Sequence, residues 1–192
     1  VVEYGGTCYL YQGLSAPTQV WTSADGLDWE PRGPIQGAAA APGLHSGINS
    51  VSIDPNDAEY PFKGLYELFR QTGPRAGDPG AQTQAVQPGG VYLCRSRDGL
   101  DWEYLPGIAV PFLCDTQNQV LYDPWRARYV AYVRAFPEVS GPHRYKRCVG
   151  RTETADLYAM PWPHGLNPAN TRPAGYDFPY INDELAIVLA ED

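Results

Sequence analysis

Short apolar or alternating segments recur along this chain, and each is bounded by glycine, proline or a polar turn. Three of them, residues 6–12, 62–70 and 128–134, have the length and the aromatic and β-branched content of half-buried strands. No stretch shows a sustained helical period with capping residues at its ends. The pattern therefore predicts an all-β protein.

An eight-residue phrase occurs twice with one change, as SADGLDWE at 23–30 and as SRDGLDWE at 96–103. The offset of 73 residues (96 − 23) marks an internal repeat, typical of folds built from copies of one unit. In each copy the Asp-Gly pair, which accepts positive φ angles, predicts a tight two-residue hairpin turn. We interpret the phrase as a structural turn rather than a ligand contact, with its tryptophan packing against a neighbouring layer.

A further strand precedes two of the strands described above. Residues 48–55 and 118–124 both end in Asp-Pro, which closes a strand and starts a turn. The shared order is strand, Asp-Pro turn, strand, loop, strand, Asp-Gly turn, strand. This order is that of a four-stranded antiparallel meander, the blade of a β-propeller. We predict whole blades at about residues 45–107 and 114–162.

The rest of the chain is predicted to hold parts of two more blades. Residues 4–33 form an incomplete blade without its first strand, and residues 181–192 begin the next one. In the third blade, residues 152–157 replace the Asp-Gly phrase, so its hairpin turn has drifted. Loops rich in glycine, proline or alanine are expected at 33–43, 75–90 and 163–179. About three blades are fewer than the roughly four to eight that close a propeller, so we predict a partial chain.

Charge and cysteine content limit the partners. The 192 residues carry a formal net charge of −8, which argues against a nucleic-acid partner and favours a neutral or cationic ligand. No apolar run approaches the roughly 20 residues of a membrane span, so no membrane contact is expected. Four cysteines without a CxxC pair favour buried thiols over disulfides, and neither a metal nor a cofactor is predicted. The oligomeric state stays open.

Candidate catalytic residues come from aligning the strands that precede the Asp-Pro turns. In a propeller these first strands line the central channel, and ligands bind where the strands start. Aligning the two turns places Ser46 opposite Asp115. Extending the alignment to the last strand, with Asp192 matched to Asp123, places Glu184 opposite Asp115 as well.

Converging carboxylates are what glycosidic bond cleavage requires, because one must protonate the leaving oxygen while the other activates water or attacks the sugar. We therefore predict Asp115 as the base, nucleophile or stabilising carboxylate, and Glu184 or its neighbour Asp183 as the acid. The alternative interpretation is that Asp115 and Asp183 only cap turns.

Polar residues near these carboxylates are predicted to bind sugar hydroxyls: His45, Asn49, Gln117, Asn118 and Arg134. Arg134 ends a second strand, where pairing with a carboxylate of the next blade is the competing interpretation. Four aromatic residues are candidates to stack on a sugar ring, with core packing as the competing role for most of them: Trp21, Tyr66, Trp125 and Trp162.

The string CDTQNQVLYDP at 114–124, followed by RYVAYVR at 128–134, resembles a pattern of bacterial proteins related to five-bladed glycoside hydrolases. These are similar to glycosyl hydrolase families 32 and 43, and the resemblance covers residues 4–162. It implies a five-bladed β-propeller that cleaves a neutral oligo- or polysaccharide, with acidic residues contributed by successive blades. By blade position these are Asp115 and the Asp183–Glu184 pair. The alternative is a non-catalytic propeller that binds carbohydrate or protein. A secreted or periplasmic location is favoured over a cytoplasmic one.

Overall fold

A computed structural model describes residues 1–13, 17–37, 47–48, 50–68, 90–111, 114, 117–135, 148–163 and 186–190. These residues contain strands and no helix, which confirms the all-β prediction. The described residues therefore include no helix that could cross a membrane. The strands are β1 (Val2–Tyr4), β2 (Thr7–Gln12), β3 (Gln19–Ser23), β4 (Glu30–Pro34), β5 (Ser50–Ile53), β6 (Phe62–Leu68), β7 (Gly90–Ser96), β8 (Trp102–Val110), β9 (Gln119–Asp123), β10 (Arg128–Ala135), β11 (Cys148–Thr154) and β12 (Ala186–Ala190).

The strands form three four-stranded antiparallel sheets, each a meander in chain order. Sheet 1 holds β1 to β4, sheet 2 holds β5 to β8, and sheet 3 holds β9 to β12. This confirms the strand order predicted from the repeated phrases and the Asp-Pro turns. Of the loops predicted at 33–43, 75–90 and 163–179, residues 38–43, 75–89 and 164–179 lie outside the described residues. Gly33 and Pro34 belong to β4 and Gly90 begins β7, so the predicted loops are too long at those ends.

Two predicted boundaries are wrong. Sheet 1 does have a first strand, because β1 pairs with β2 over three residues before a Gly5-Gly6 turn. The last strand does not begin a new unit: β12 pairs with β11, Ala190 opposite Cys148, and is the fourth strand of sheet 3. A short apolar strand looks alike in either place, and only the pairing decides between them.

The two repeated phrases form wider turns than the two-residue hairpin predicted for them. Six residues, 24–29, separate β3 from β4. The turn is held by the Asp25 Oδ1, which accepts hydrogen bonds from the N–H groups of Leu27 (2.8 Å) and Asp28 (3.0 Å). The Ser23 Oγ accepts another from Gly26 at 2.8 Å. The second phrase repeats all three bonds at 2.8–2.9 Å, so the residues that the two phrases share stabilise the turn itself.

Sheet 3 keeps some of the hydrogen bonds of this turn, although residues 152–157 lack the Asp-Gly pair. The Asp156 N–H donates to the Thr154 Oγ1 at 3.2 Å, and the Asp156 Oδ1 accepts from the Tyr158 N–H at 2.9 Å. Leu157 takes the place of the glycine and is buried. The bonding of the turn therefore survives without the Asp-Gly pair.

A buried tryptophan completes the turn in sheets 2 and 3. The Trp102 indole N–H donates to the carbonyl of Gly99 at 3.1 Å, and the Trp162 indole N–H donates to that of Leu157 at 2.9 Å. Both side chains are only 1% exposed. Trp162 thus occupies in sheet 3 the place that Trp102 has in sheet 2.

One backbone hydrogen bond is repeated between neighbouring sheets. The N–H of Trp102 donates to the carbonyl of Gln36, and the N–H of Trp162 donates to that of Ala109, both at 2.9 Å. Gln36 and Ala109 are 73 residues apart (109 − 36), which is the offset of the repeated phrase. Sheet 2 therefore meets sheet 1 in the same way as sheet 3 meets sheet 2.

The core lies on both faces of sheet 2, since β5 contacts β1 on one side and β9 on the other. Every residue of β6 is buried. Phe62 and Tyr66 join an apolar cluster shared with sheet 1, whereas Leu65 joins one shared with sheet 3. The continuous apolar run of β6 in the sequence reflects this two-sided burial.

Gly99→Ala is expected to lower the free energy of unfolding more than Gly26→Ala. Both glycines have positive φ, +79° and +77°, so alanine at either is strained by about 1–2 kcal/mol. At Gly99 the added Cβ would lie 2.5 Å from the Tyr11 hydroxyl oxygen and 2.9 Å from the Phe62 ring, whereas at Gly26 only the Cys8 Sγ is near, at 4.0 Å. Overpacking adds about 1–3 kcal/mol at Gly99 alone. Urea unfolding of the two variants tests this, and equal losses would contradict it.

Candidate functional site

Three of the eight residues predicted for the site lie among the described residues: Gln117, Asn118 and Arg134. The other five, Asp115, Asp183, Glu184, His45 and Asn49, lie outside them. Asp115 is nevertheless bracketed closely, because Cys114 precedes it and Gln117 follows it by two residues. We refer to residues 114–118, which lead into β9, as the Asp115 segment.

The Asp115 segment is held at both of its ends by buried polar side chains. At its start, the Cys114 N–H donates to the Glu67 Oε1 at 2.6 Å, and both residues are fully buried. At its end, the fully buried Asn118 accepts a hydrogen bond on Oδ1 from the backbone N–H of Arg134 at 3.2 Å. One bond comes from sheet 2 and the other reaches sheet 3, so Cys114 and Asn118, at the two ends of the segment, are fixed relative to both sheets.

Gln117 gives the segment an unusual backbone conformation. Its φ is +70°, in the left-handed region that residues with a side chain rarely adopt, and the residue is exposed. Strain of this kind costs roughly 1–3 kcal/mol and persists only where the surroundings impose it. Here the bonds made by Glu67 and Asn118 are placed to impose it.

The structure changes the roles predicted for Asn118 and Arg134. The buried carboxamide of Asn118 serves the backbone of β10, so it positions the segment and does not face solvent. Arg134 supplies that backbone N–H from β10, and its side chain is half-buried. Exposed Gln117 is the described member of the segment that can reach a ligand.

The alignment that matched Ser46 with Asp115 agrees with the strand pairing. Val51 of β5 lies across from Gly64, and Val120 of β9 lies across from Ala131, at matching places in their sheets. The extension to Glu184 is wrong, since it treated the last strand as a first strand and β12 is an outer one. The positional argument that paired Glu184 or Asp183 with Asp115 therefore no longer holds.

Glu67 is the functional-site residue that the sequence reasoning missed. It lies inside the apolar run of β6, which was interpreted only as a strand. A carboxylate in a strand that is buried on both faces is costly unless it is hydrogen-bonded, and that cost is the signal the sequence offers. Lys63, four residues earlier and 1% exposed, carries the same signal.

Lys63 belongs to a second polar cluster, at the other end of the sheets. Its Nζ lies 2.9 Å from the Asp57 Oδ2 and 3.4 Å from the Asp54 Oδ2. Tyr129 of β10 donates its hydroxyl to Asp54 at 3.0 Å, and Tyr158 donates its hydroxyl to Asp57 at 2.7 Å. This Lys63 cluster joins sheet 2 to sheet 3 through charge-assisted hydrogen bonds.

The electrostatics of the Lys63 cluster favour its bonded state. Burial opposes ionisation of Asp57, but the hydrogen bonds from Tyr158 and Lys63 outweigh it and hold the pKa of that carboxyl well below its usual range. Burial and the neighbouring Asp54 raise the pKa of Tyr129 to about 12. Because these groups already satisfy one another, we interpret the cluster as a structural clamp.

Cysteine and aromatic residues occupy simpler places. Cys8 and Cys94 are free thiols, and burial raises the pKa of Cys94 well above its ordinary value. Tyr66 and Trp162 are core residues, Trp21 is half-buried, and Trp125 is 93% exposed. Within the described ranges, no group of three or more His, Cys, Asp or Glu side chains is placed to hold a metal ion.

No protein-family model matches this chain, and no curated protein matches it. The fold and the site therefore define it as an all-β protein of three four-stranded antiparallel sheets with a tethered polar segment before β9.

Glu67→Leu is expected to loosen the Asp115 segment, whereas Glu67→Gln keeps a carbonyl oxygen that can accept from the Cys114 N–H. The leucine variant leaves that buried N–H without this acceptor, at a cost of about 1–3 kcal/mol. Hydrogen exchange at the Cys114 amide should be roughly tenfold faster in the leucine variant than in the glutamine variant, since about 1.4 kcal/mol is a tenfold change. Equal exchange rates would show that Glu67 does not hold the segment.

Tyr129→Phe is expected to lower stability by about 1–3 kcal/mol near pH 8, because Asp54 loses a hydrogen bond from the Tyr129 hydroxyl. The folded-state pKa of Tyr129, about 12, lies above the unfolded value near 10. Its contribution is therefore complete below pH 10 and is lost as the pH rises from 10 to 12. Unfolding free energies across this range should show the difference between wild type and variant shrinking. A difference that stays constant would contradict the assignment.

Proposed function

We propose that this chain is part of a glycoside hydrolase-like β-propeller that acts on a neutral oligo- or polysaccharide, with Asp115 as a carboxylate that faces the sugar. The observation that carries the proposal is the Asp115 segment, whose two ends are fixed by the buried side chains of Glu67 and Asn118. Buried side chains that hydrogen-bond to the two ends of a loop are typical of loops that position functional side chains.

The repeated contact between sheets supports the propeller arrangement. Three meanders follow one another, and a tryptophan backbone N–H bonds to a carbonyl of the preceding sheet at both contacts, with the acceptors Gln36 and Ala109 at the 73-residue offset. Equal contacts between successive units generate a regular rotation, as the blades of a propeller require. In that arrangement β1, β5 and β9 are the inner strands, and the Asp115 segment lies where an inner strand starts.

The charges favour a neutral ligand. The chain has a formal net charge of −8. Four of its arginines already pair with carboxylates: Arg95 with Glu103, Arg97 with Glu59, Arg126 and Arg151 with Glu153. Cations neutralised in this way do not form the basic surface that an anionic ligand needs.

In the proposed reaction Asp115 serves as base, nucleophile or stabiliser of the positive charge that develops on the sugar. A second carboxylic acid must protonate the leaving oxygen. The alignment that assigned this role to Asp183 or Glu184 does not hold, so the proposal names Asp115 alone. The separation of the two carboxyl groups decides the stereochemistry, with about 5 Å giving retention and roughly 6.5–9.5 Å giving inversion.

A second candidate is a propeller that binds carbohydrate without cleaving it. The placement of β12 at the outer edge of sheet 3 favours this alternative, because it removes the alignment that brought a second carboxylate to Asp115. In such a protein Asp115 and Gln117 would only hydrogen-bond sugar hydroxyls.

Hydrolysis of neutral oligosaccharides by the full-length protein that contains this chain separates the two candidates. Asp115→Asn is expected to lower kcat by about 10²–10⁴-fold, the usual effect of losing a catalytic carboxylate, while ligand affinity stays within a few-fold. Asp28→Asn, at an exposed turn position, is the matched control and should keep full activity. Saccharide binding without cleavage by the wild type would support the binding-only alternative. Full activity of Asp115→Asn would overturn the role of Asp115.

A further inference from the structure

Trp125 differs from the other four tryptophans of the chain in being almost fully exposed, at 93%. It lies in the turn between β9 and β10, at the opposite end of β9 from the Asp115 segment. The turn is well defined, because the Asp123 Oδ1 accepts from the N–H groups of Trp125 (3.0 Å) and Arg126 (3.3 Å). Trp125 is thus a large flat apolar ring carried on a fixed backbone.

The other sheets show that the fold does not need a large side chain at this position. In each sheet the first strand is followed by a turn, and the place of Trp125 is taken by Gly6 in sheet 1 and by Asn56 in sheet 2. The Asp54 Oδ1 accepts from the Asn56 N–H at 3.0 Å, so the turn of sheet 2 is bonded like that of sheet 3. The three turns differ in length, since Tyr4 pairs with Thr7, Ile53 with Phe62 and Asp123 with Arg128. The aspartate bond nevertheless forms in sheet 2 without a tryptophan, so the bond that fixes the turn does not require a large side chain at position 125.

The surroundings of the ring exclude two kinds of ligand. Arg126 is engaged by Glu153 at 3.2 Å and by Asp123 at 4.0 Å, so the turn offers no unpaired cation to an anionic ligand. The other residues of the turn, Pro124, Arg126 and Ala127, are exposed, and Trp125 is the one large apolar side chain among them. One indole face is far smaller than the roughly 1,200–2,000 Å² that a stable protein interface buries.

A single apolar plate beside a pair of polar side chains, Arg126 and Glu153, fits a sugar ring. One face of a pyranose presents C–H groups that pack on an aromatic face, while its rim carries hydroxyls that need polar partners. Glu153 and Arg126 supply such partners beside the turn. We propose that Trp125 is the stacking platform of a second saccharide site, which binds a neutral polysaccharide chain away from the Asp115 segment. The identity of the ligand as a saccharide rests on the proposed function.

Affinity electrophoresis of the whole chain tests this site, with soluble neutral polysaccharides of glucose, xylose, arabinose, mannose or galactose in the gel. Trp125→Ala is expected to weaken retardation about twofold to twelvefold, since an aromatic contact of this kind is worth roughly 0.5–1.5 kcal/mol. Trp125→Tyr, which keeps a stacking ring, should restore most of the binding. The matched control is Leu27→Ala, because Leu27 is also a turn residue and is 81% exposed. It should bind like the wild type.

The outcomes separate this site from the proposed reaction. Retardation that depends on Trp125 in a protein that cleaves nothing supports the second site and contradicts hydrolysis. Cleavage of short oligosaccharides with retardation unchanged in Trp125→Ala overturns the second site alone. No retardation by any of the polysaccharides also overturns it. A smaller mass of Trp125→Ala than of the wild type in sedimentation would overturn it in favour of a protein interface.

Discussion

Sheet 2 is buried on both faces, and the other two sheets take their positions from how each face is covered. Toward sheet 1 the contact is aromatic: Tyr4 and Tyr9 meet the Phe62 ring edge-on, with centroids 5.2 and 5.0 Å apart. Such rings have a preferred angle as well as apolar area, so they fix the orientation of sheet 1. The bond from the backbone N–H of Trp102 to the Gln36 carbonyl then fixes the position of sheet 1 along the strand direction of sheet 2.

Toward sheet 3, β6 presents a different surface, with Leu65 between the charged residues Lys63 and Glu67. Residues two apart on a strand share a face, so both charges point the same way, one at each end of the strand. Neither is stable when buried without partners. The acids that pair with Lys63, Asp54 and Asp57, lie in sheet 2 and accept hydrogen bonds from Tyr129 and Tyr158 of sheet 3, whereas Glu67 accepts directly from the Cys114 N–H. A shift of sheet 3 by one residue would break these bonds, so they specify a single register. Cys114, directly before Asp115, is held by the same contacts that align the sheets.

The sequence predicted the strands and their order, because alternation, Asp-Pro turns and the repeated phrase are all local signals. It failed where the partner of a strand decides its role. β1 is only three residues long, too short to show a periodic pattern. The apolar sequence of β12 is compatible with an inner or an outer strand, so it does not indicate the strand's position in the sheet. The role of Glu67 could not be predicted from the apolar run around it. Strand periodicity indicates which residues share a face, but it does not indicate which polar group of another strand or loop they will contact. The candidate site thus depended on a tertiary contact that no local signal reports.

The strand β9 connects the two proposed contacts with saccharide, with the Asp115 segment before it and the Trp125 turn after it. Five residues of strand span roughly 17 Å, so a short oligosaccharide reaches one contact at a time. A polymer held at Trp125 raises the local concentration of its own neighbouring units at the Asp115 segment, and the two contacts then reinforce each other through the chain that links them. If both proposals hold, a preference for long over short saccharides is expected from the spacing of the two contacts along β9, whereas cleavage is expected to depend on Asp115.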